Sequence, residues 1–213
     1  MSIEKDLSAI ANFRGESLTK SLSTIESNIL GISSLDCVNF CDSFGVNDEL
    51  IGSIRAVKRV ASEINVILHA TGIMNSLSRL LKDGEEVLSV SLGAGNTGRR
   101  FDLETNFQVA EFKFIDWQGG AESIRQNGLF KDFYNLAEFQ SPKEKNLYVV
   151  GTQYPLKFFN GGRALSSVLS KQPIILGAIK AKYGEDVRQT RDYFNIHKHS
   201  VQVKDVSPFL SCV

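Results

Sequence analysis

Apolar residues in the first part of the chain recur every three to five positions, which is the spacing of an amphipathic helix. One such run covers about residues 3–30, where Gly15 is a candidate break. A second run covers about residues 48–82, with Asp48 as a suitable N-cap and Gly72 as a candidate break. The pattern therefore predicts a helical N-terminal region.

The period changes to two after this region, as it does in strands. Strands are predicted at about residues 87–92, 100–105, 108–115, 146–152 and 200–206, and helices at about 121–139, 165–169 and 174–183. The middle of the chain thus reads helix, strand, strand, strand, helix, strand. This order predicts an α/β domain with a mixed central sheet.

Composition narrows the possible functions only slightly. The 213 residues are 42% hydrophobic, enough for one domain with a sizeable extension. Since 24 basic residues balance 24 acidic ones, contact with nucleic acid would have to come from a local basic patch. Three irregularly spaced cysteines favour a reducing compartment. The sequence shows neither a signal segment nor a membrane-spanning run, so we expect a cytoplasmic protein without a membrane partner.

Charged residues cluster on the second and third predicted strands. Asp102 and Glu104 alternate on the first of these two strands, and Glu111 and Lys113 alternate on the next. Since alternate residues of a strand share a face, Glu111 and Lys113 are expected to project together while the intervening apolar residues face the other side. Two carboxylates beside an ammonium group predict a site for a hard cation and an anionic substrate such as a phosphodiester.

This arrangement of Asp102 followed by Glu-x-Lys, together with the order of helices and strands, resembles the PD-(D/E)XK nuclease superfamily. The resemblance implies a restriction-endonuclease-like αβββαβ core over about residues 55–152. It divides the chain into an N-terminal helical extension, residues 1–50, and a nuclease domain, residues 51–213, whose last part, residues 153–213, is a helical elaboration.

The resemblance also implies roles for individual residues. Asp102 and Glu111 would bind Mg²⁺ or Mn²⁺, and Lys113 would position or activate the attacking water. Phe101 stands where the family pattern has proline. The implied activity is endonucleolytic hydrolysis of nucleic acid, with DNA as the expected substrate. A restriction or defence role is compatible with the family.

Further candidate residues surround this set. Glu63, with Glu85 and Glu86 as rivals, is the candidate for the acidic residue that many family members carry on the helix before the sheet. Glu104 and Gln126 are additional candidates for the site. The candidate contacts to nucleic acid are Arg99, Arg100 and Gln118.

Two other patterns carry alternative interpretations. Residues 93–98 match G-x-G-x-x-G, but a dinucleotide site would require a helix after Gly98, and the following residues alternate like a strand. A turn that brings Arg99 and Arg100 near phosphate, or a plain connection between strands, agrees better with the pattern. Basic residues interleaved with aromatic ones in the C-terminal third are either a nucleic-acid face or a solvated helical surface.

The rival to a nuclease is a non-catalytic module of the same fold that binds nucleic acid or takes part in an assembly. Such a protein would keep the acidic cluster as a structural feature and would not respond to Mg²⁺. A homodimer formed through the helical extensions is a further expectation, since enzymes that cut both strands of a duplex often pair two sites.

Overall fold

The computed structural model describes residues 2–33, 36–93, 98–114, 117 and 123–210. Its helices are α1 Ile3–Arg14, α2 Leu18–Asn28, α3 Cys37–Ser43, α4 Asp48–Leu80, α5 Ser123–Glu138, α6 Gln153–Phe159, α7 Leu165–Val168, α8 Pro173–Tyr183 and α9 Thr190–His197. Its strands are β1 Val87–Val90, β2 Leu103–Thr105, β3 Gln108–Lys113, β4 Glu144–Val149 and β5 Gln202–Asp205. The chain is therefore a mixed α/β protein, and its middle has the predicted order of helices and strands.

The chain divides into two compact units, Met1–Asn65 and Val66–Val213. The division falls inside α4, whereas the sequence placed the domain boundary at residue 50. In the first unit, α1 ends at Gly15, whose φ is 58°. Glycine adopts a positive φ at little cost because it has no Cβ. The side chain of Asp6 in α1 accepts a hydrogen bond of 2.8 Å from Ser53 Oγ in α4.

The predictions for α4 need two corrections. The N-cap is Asn47, whose Oδ1 accepts a hydrogen bond of 2.9 Å from Leu50 N, because Asp48 already lies within the helix. Gly72 does not break the helix. A Cβ at this glycine would lie 2.6 Å from the Phe114 ring, so the missing side chain is what lets that ring approach the helix.

The second unit is built on a five-stranded sheet in the order β1-β2-β3-β4-β5. Strands β1, β2 and β3 pair antiparallel, while β3, β4 and β5 pair parallel. The second strand is shorter than predicted. It begins at Leu103, so Phe101 and Asp102 precede it in a bend.

Both faces of this sheet are covered. Alternate residues of β4 divide between two buried clusters, with Leu147 and Val149 in one and Tyr148 in the other. The first cluster includes Phe130, Phe133 and Leu136 of α5 together with side chains from α6 to α9. The second includes Ile73 of α4, Leu103, Phe112 and Val206. Phe101 and Leu103 do not share a face of the sheet, since they lie in different clusters and the chain bends between them.

No helix among the described residues is both long enough and apolar enough to cross a membrane.

Candidate active site

Asp102 is held between α4 and β3. Its Oδ2 accepts a hydrogen bond of 2.9 Å from Phe112 N, and its Oδ1 lies 3.2 Å from His69 Nε2. Its side chain is 16% exposed. Burial alone would raise the pKa of this carboxyl, but the hydrogen bonds with His69 and Phe112 N hold the pKa below its ordinary value. Asp102 is thus a fixed, ionised carboxylate.

Glu111 comes from the next strand and meets Asp102. Its side chain is hydrogen-bonded to Asp102, and the residue is 8% exposed. Burial, and then the neighbouring charges of Asp132 and Asp102, raise the pKa of Glu111 to about 10. Two carboxyl groups this close cannot both ionise cheaply, so one proton holds the pair together in the absence of a cation.

Lys113 lies two residues further along β3, on the same side as Glu111. Its Nζ is 2.5 Å from Asp132 Oδ2, and its side chain is 32% exposed. Burial alone would lower the pKa of Lys113, but the adjacent carboxylate of Asp132 outweighs burial and raises it. Lys113 is therefore a charged ammonium group with one defined carboxylate partner.

Sequence reasoning missed His69 and Asp132. His69 comes from α4, where its ring also meets the Phe114 ring edge-on at 6.0 Å between centroids. The sequence does carry a signal for Asp132. It stands three residues after Leu129 and four before Leu136, so it is an acidic residue on the core-facing side of α5. An acid in that position needs a cationic partner, and Lys113 provides it.

Several predicted residues lie elsewhere or have other partners. Glu104 Oε1 is 2.7 Å from Lys143 Nζ. Gln126 is buried and accepts a hydrogen bond from Arg163. Glu63 is exposed in the first compact unit. Its rival Glu85 is buried and accepts hydrogen bonds from Thr105 Oγ1 and Gln108 Nε2 at 2.6 and 2.8 Å, which is a structural role.

The candidate contacts to nucleic acid are only partly described. Arg100 stacks on the ring of Phe139, 4.6 Å from its centroid, and Arg99 is exposed. Gln118 and residues 94–97 of the glycine-rich loop lie outside the described residues. Residues 98–102 form bends ahead of β2, so the helix that a dinucleotide site requires after Gly98 is absent from this described segment.

Many C-terminal cations are already paired with acids. Lys182 lies 2.5 Å from Glu138, Lys180 lies 3.0 Å from Glu185, and Lys204 lies 3.8 Å from Glu144. These pairs support the interpretation of a solvated helical surface over that of a nucleic-acid face.

The metal hypothesis rests on a pair of carboxyl groups. Among the described residues, no group of three or more His, Cys, Asp or Glu side chains is arranged to hold a metal ion. The hydrogen-bonded pair of Asp102 and Glu111 nevertheless fits a hard cation, since both offer carboxylate oxygens and a cation could replace the shared proton. Water and substrate oxygens would complete such a coordination shell.

Comparison with protein-family models, with curated proteins and with solved structures finds no match to this chain.

Proposed function

We propose that this chain is a metal-dependent nuclease that hydrolyses phosphodiester bonds, with DNA as its substrate. The observation that carries the proposal is the buried carboxyl pair of Asp102 and Glu111, which shares a hydrogen bond beside the charged Lys113. Mutually repelling carboxyl groups are costly to keep together unless a cation or proton binds between them. A restriction-endonuclease-like core is part of the proposal, and the order α4, β1, β2, β3, α5, β4 supports it.

In this proposal, Asp102 and Glu111 hold Mg²⁺ or Mn²⁺. The bound cation would supply charge neutralisation at the phosphate and a lowered pKa for bound water. Phe112 N and His69 fix the direction of the Asp102 carboxylate, so that it needs no reorganisation during the reaction. Lys113 orients the water or stabilises the charge that develops on the phosphoryl oxygens. Asp132 holds the Lys113 ammonium group on the same side of the sheet as Glu111.

The deciding experiment measures cleavage of plasmid and single-stranded DNA with Mg²⁺ or Mn²⁺. It compares the wild type with Asp102→Asn, Glu111→Gln and Lys113→Met. The first two changes remove a carboxylate ligand for the cation and the third removes the ammonium group, while all three keep most of the side-chain volume. We therefore expect at least a hundredfold loss of cleavage with the fold retained. Glu104→Gln is the matched control, because Glu104 lies on the neighbouring strand and pairs with Lys143 instead. Its cleavage rate should stay close to that of the wild type.

Metal binding is measured separately by calorimetry with Mn²⁺. Binding should be lost in Asp102→Asn and Glu111→Gln and retained in Lys113→Met. Glu111→Gln should also raise the thermal midpoint of the metal-free protein by about 2–4 °C at neutral pH, because the neutral amide replaces a carboxyl group that must take up a proton on folding to lie beside Asp102. Absence of both Mn²⁺ binding and cleavage in the wild type would reject the proposal.

The ion pair of Lys113 with Asp132 favours a second candidate, a non-catalytic module of the same fold that binds nucleic acid. A lysine neutralised by a carboxylate at 2.5 Å is restrained from acting on water. This candidate predicts DNA binding that is independent of Mn²⁺ and unchanged in Asp102→Asn. The variant Asp132→Asn distinguishes the nuclease from the binding module. It removes the charged partner of Lys113, so it should alter the cleavage rate of a nuclease while leaving the affinity for Mn²⁺ unchanged.

A further inference from the structure

A narrow pocket, called the side pocket below, lies beside Lys113. The described residues that line it are Lys113, Trp117, Arg125, Leu129, Val149 and Pro155. Its free volume is about 30 Å³, which is room for about two water molecules and too little for a whole nucleobase. A ligand of the side pocket therefore enters it with a small projecting group.

The walls of the side pocket are mainly apolar. Val149 of β4, which pairs with Lys113 of β3, supplies one wall, and Leu129 of α5 and Pro155 of α6 supply two more. The indole nitrogen Nε1 of Trp117 is buried, so the indole presents carbon atoms to the pocket. Water in such a pocket finds few polar partners, and an apolar group that displaces it gains affinity.

Helix α5 connects the side pocket to the candidate active site. Arg125, Leu129 and Asp132 follow the spacing of four and three residues, so they lie on one face of α5. Asp132 holds Lys113 in the ion pair of 2.5 Å, and Leu129 lines the side pocket about one turn, roughly 5 Å, nearer the start of the helix. A phosphodiester bound beside Lys113 therefore has its adjoining base within reach of the side pocket.

The charges of the side pocket suit a nucleic-acid strand. Lys113 and Arg125 are cationic, and none of the described residues that line the pocket is acidic. Cationic side chains attract the phosphate groups of a strand, which leaves the apolar walls to contact a base. The apolar group that projects from the edge of a standard DNA base is the C5-methyl group of thymine. The uracil of RNA lacks this group.

We propose that the side pocket takes the C5-methyl group of a pyrimidine, thymine in unmodified DNA, next to the phosphodiester that the candidate site would cleave. The inference rests on the proposed function and deepens it, because it names DNA that carries 5-methylpyrimidines as the preferred substrate over RNA. Burial of one methyl group should tighten binding about fourfold.

The test is binding of single strands of about ten thymidines or ten deoxyuridines, which differ only in their methyl groups. Labelled strands are titrated with the full chain in EDTA, so that no divalent cation supports cleavage, and fluorescence anisotropy measures the affinity. Trp117 is the single tryptophan of the chain, so its emission reports on the side pocket. We expect about fourfold tighter binding of the thymidine strand and a larger change in Trp117 emission.

Val149→Ile fills the side pocket with one more methyl group and keeps a β-branched residue in β4. This variant should bind the two strands equally. Val150→Ile is the matched control, because Val150 packs against the buried cluster on the other face of the sheet and gains the same group outside the pocket. It should keep the preference for thymidine.

Three outcomes would overturn the proposal: equal affinity of the wild type for the two strands or no binding of either, unchanged Trp117 emission at saturation, and a Val149→Ile variant that keeps the preference. Deoxycytidine strands with and without C5-methyl groups identify the source of the methyl group. A preference for the methylated strand extends the proposal to 5-methylcytosine, and equal binding confines it to thymine.

Cleavage of the same strands with Mn²⁺ is scored separately, so that the two proposals can fail independently. A wild type that prefers the thymidine strand and cleaves neither strand would retain the side pocket and reject the nuclease. A wild type that binds both strands equally and cleaves both would retain the nuclease and reject the side pocket.

Discussion

The two compact units differ in how far their apolar side chains are buried. Residues 66–213 cover a sheet on both faces with two buried clusters rich in aromatic side chains, whereas residues 1–65 leave most of their apolar side chains at the surface. Helical periodicity in the sequence is equally clear in both. The difference teaches that periodicity predicts a helix without telling whether its apolar face is covered within the chain or by a partner.

The largest expected difference between the two units is the stability lost when a large apolar side chain is truncated. Phe133 is fully buried in α5 and meets the rings of Phe159 and Phe194 at 4.8 and 5.4 Å between centroids. We expect Phe133→Ala to lower the free energy of unfolding by about 3–5 kcal/mol. Leu22→Ala in α2, where the side chain is 41% exposed, should cost under about 1 kcal/mol in dilute protein. Urea unfolding of both variants measures the difference, and equal costs would contradict the contrast between the units.

One helix offers a smaller and sharper version of the same test. Gly52 and Gly72 both lie in α4, but a Cβ at Gly52 meets nothing within 4 Å, whereas a Cβ at Gly72 collides with the Phe114 ring. Gly52→Ala should raise the free energy of unfolding by about 0.5–1 kcal/mol through better helix propensity. Gly72→Ala should lower it by about 1–3 kcal/mol, because the core is overpacked. Thermal unfolding of the two variants should therefore shift in opposite directions.

The smallest expected effect concerns acid stability in the second unit. Burial would raise the pKa of Glu138, but hydrogen bonds from Lys182, Tyr183 and Tyr193 hold it below the ordinary value. The carboxylate therefore stabilises the fold above about pH 4.5, and that stabilisation is lost as the pH falls through the lowered pKa.

Glu138→Gln tests this dependence. The wild type should exceed the variant by about 1 kcal/mol at pH 6, and the gap should narrow as the pH falls from 5 to 3. Denaturant unfolding at a series of pH values measures the gap. A gap that does not change with pH would show that Glu138 contributes by packing rather than by its charge.

Much of the fold follows from local patterns in the sequence. Strands β1 to β5 and helices α4 and α5 appear close to their predicted positions, because their apolar periods are long and regular. The short helices α6 and α9 were not predicted individually. Pro155 inside α6 argues against a helix, and α9 is fixed by a reciprocal cap between Gln189 and Asp192.

The sequence predicts only those parts of the candidate site that follow from alternation within a strand. Alternation places Glu111 and Lys113 on one side of β3, but nothing in the local sequence brings His69 or Asp132 to them. His69 is 33 positions from its partner Asp102, and Asp132 is 19 positions from its partner Lys113. Both contacts therefore depend on how α4 and α5 pack on the sheet. The partners of Glu104 and Gln126 are set by tertiary packing in the same way.

The change from antiparallel to parallel pairing within the sheet has a consequence for folding kinetics. Strands β1 to β3 form a meander of neighbouring segments, so their pairing closes short loops, while β4 pairs with β5 only across α6, α7, α8 and α9. Closing the longer loop costs more chain entropy before any contact is gained. We therefore expect β5 to dock last, after the meander has already brought Asp102 and Glu111 together. The two carboxyl groups would then repel each other early in folding, when the meander forms. Because a proton or a divalent cation removes this repulsion, mildly acidic conditions or a divalent cation should speed up formation of the meander rather than the docking of β5.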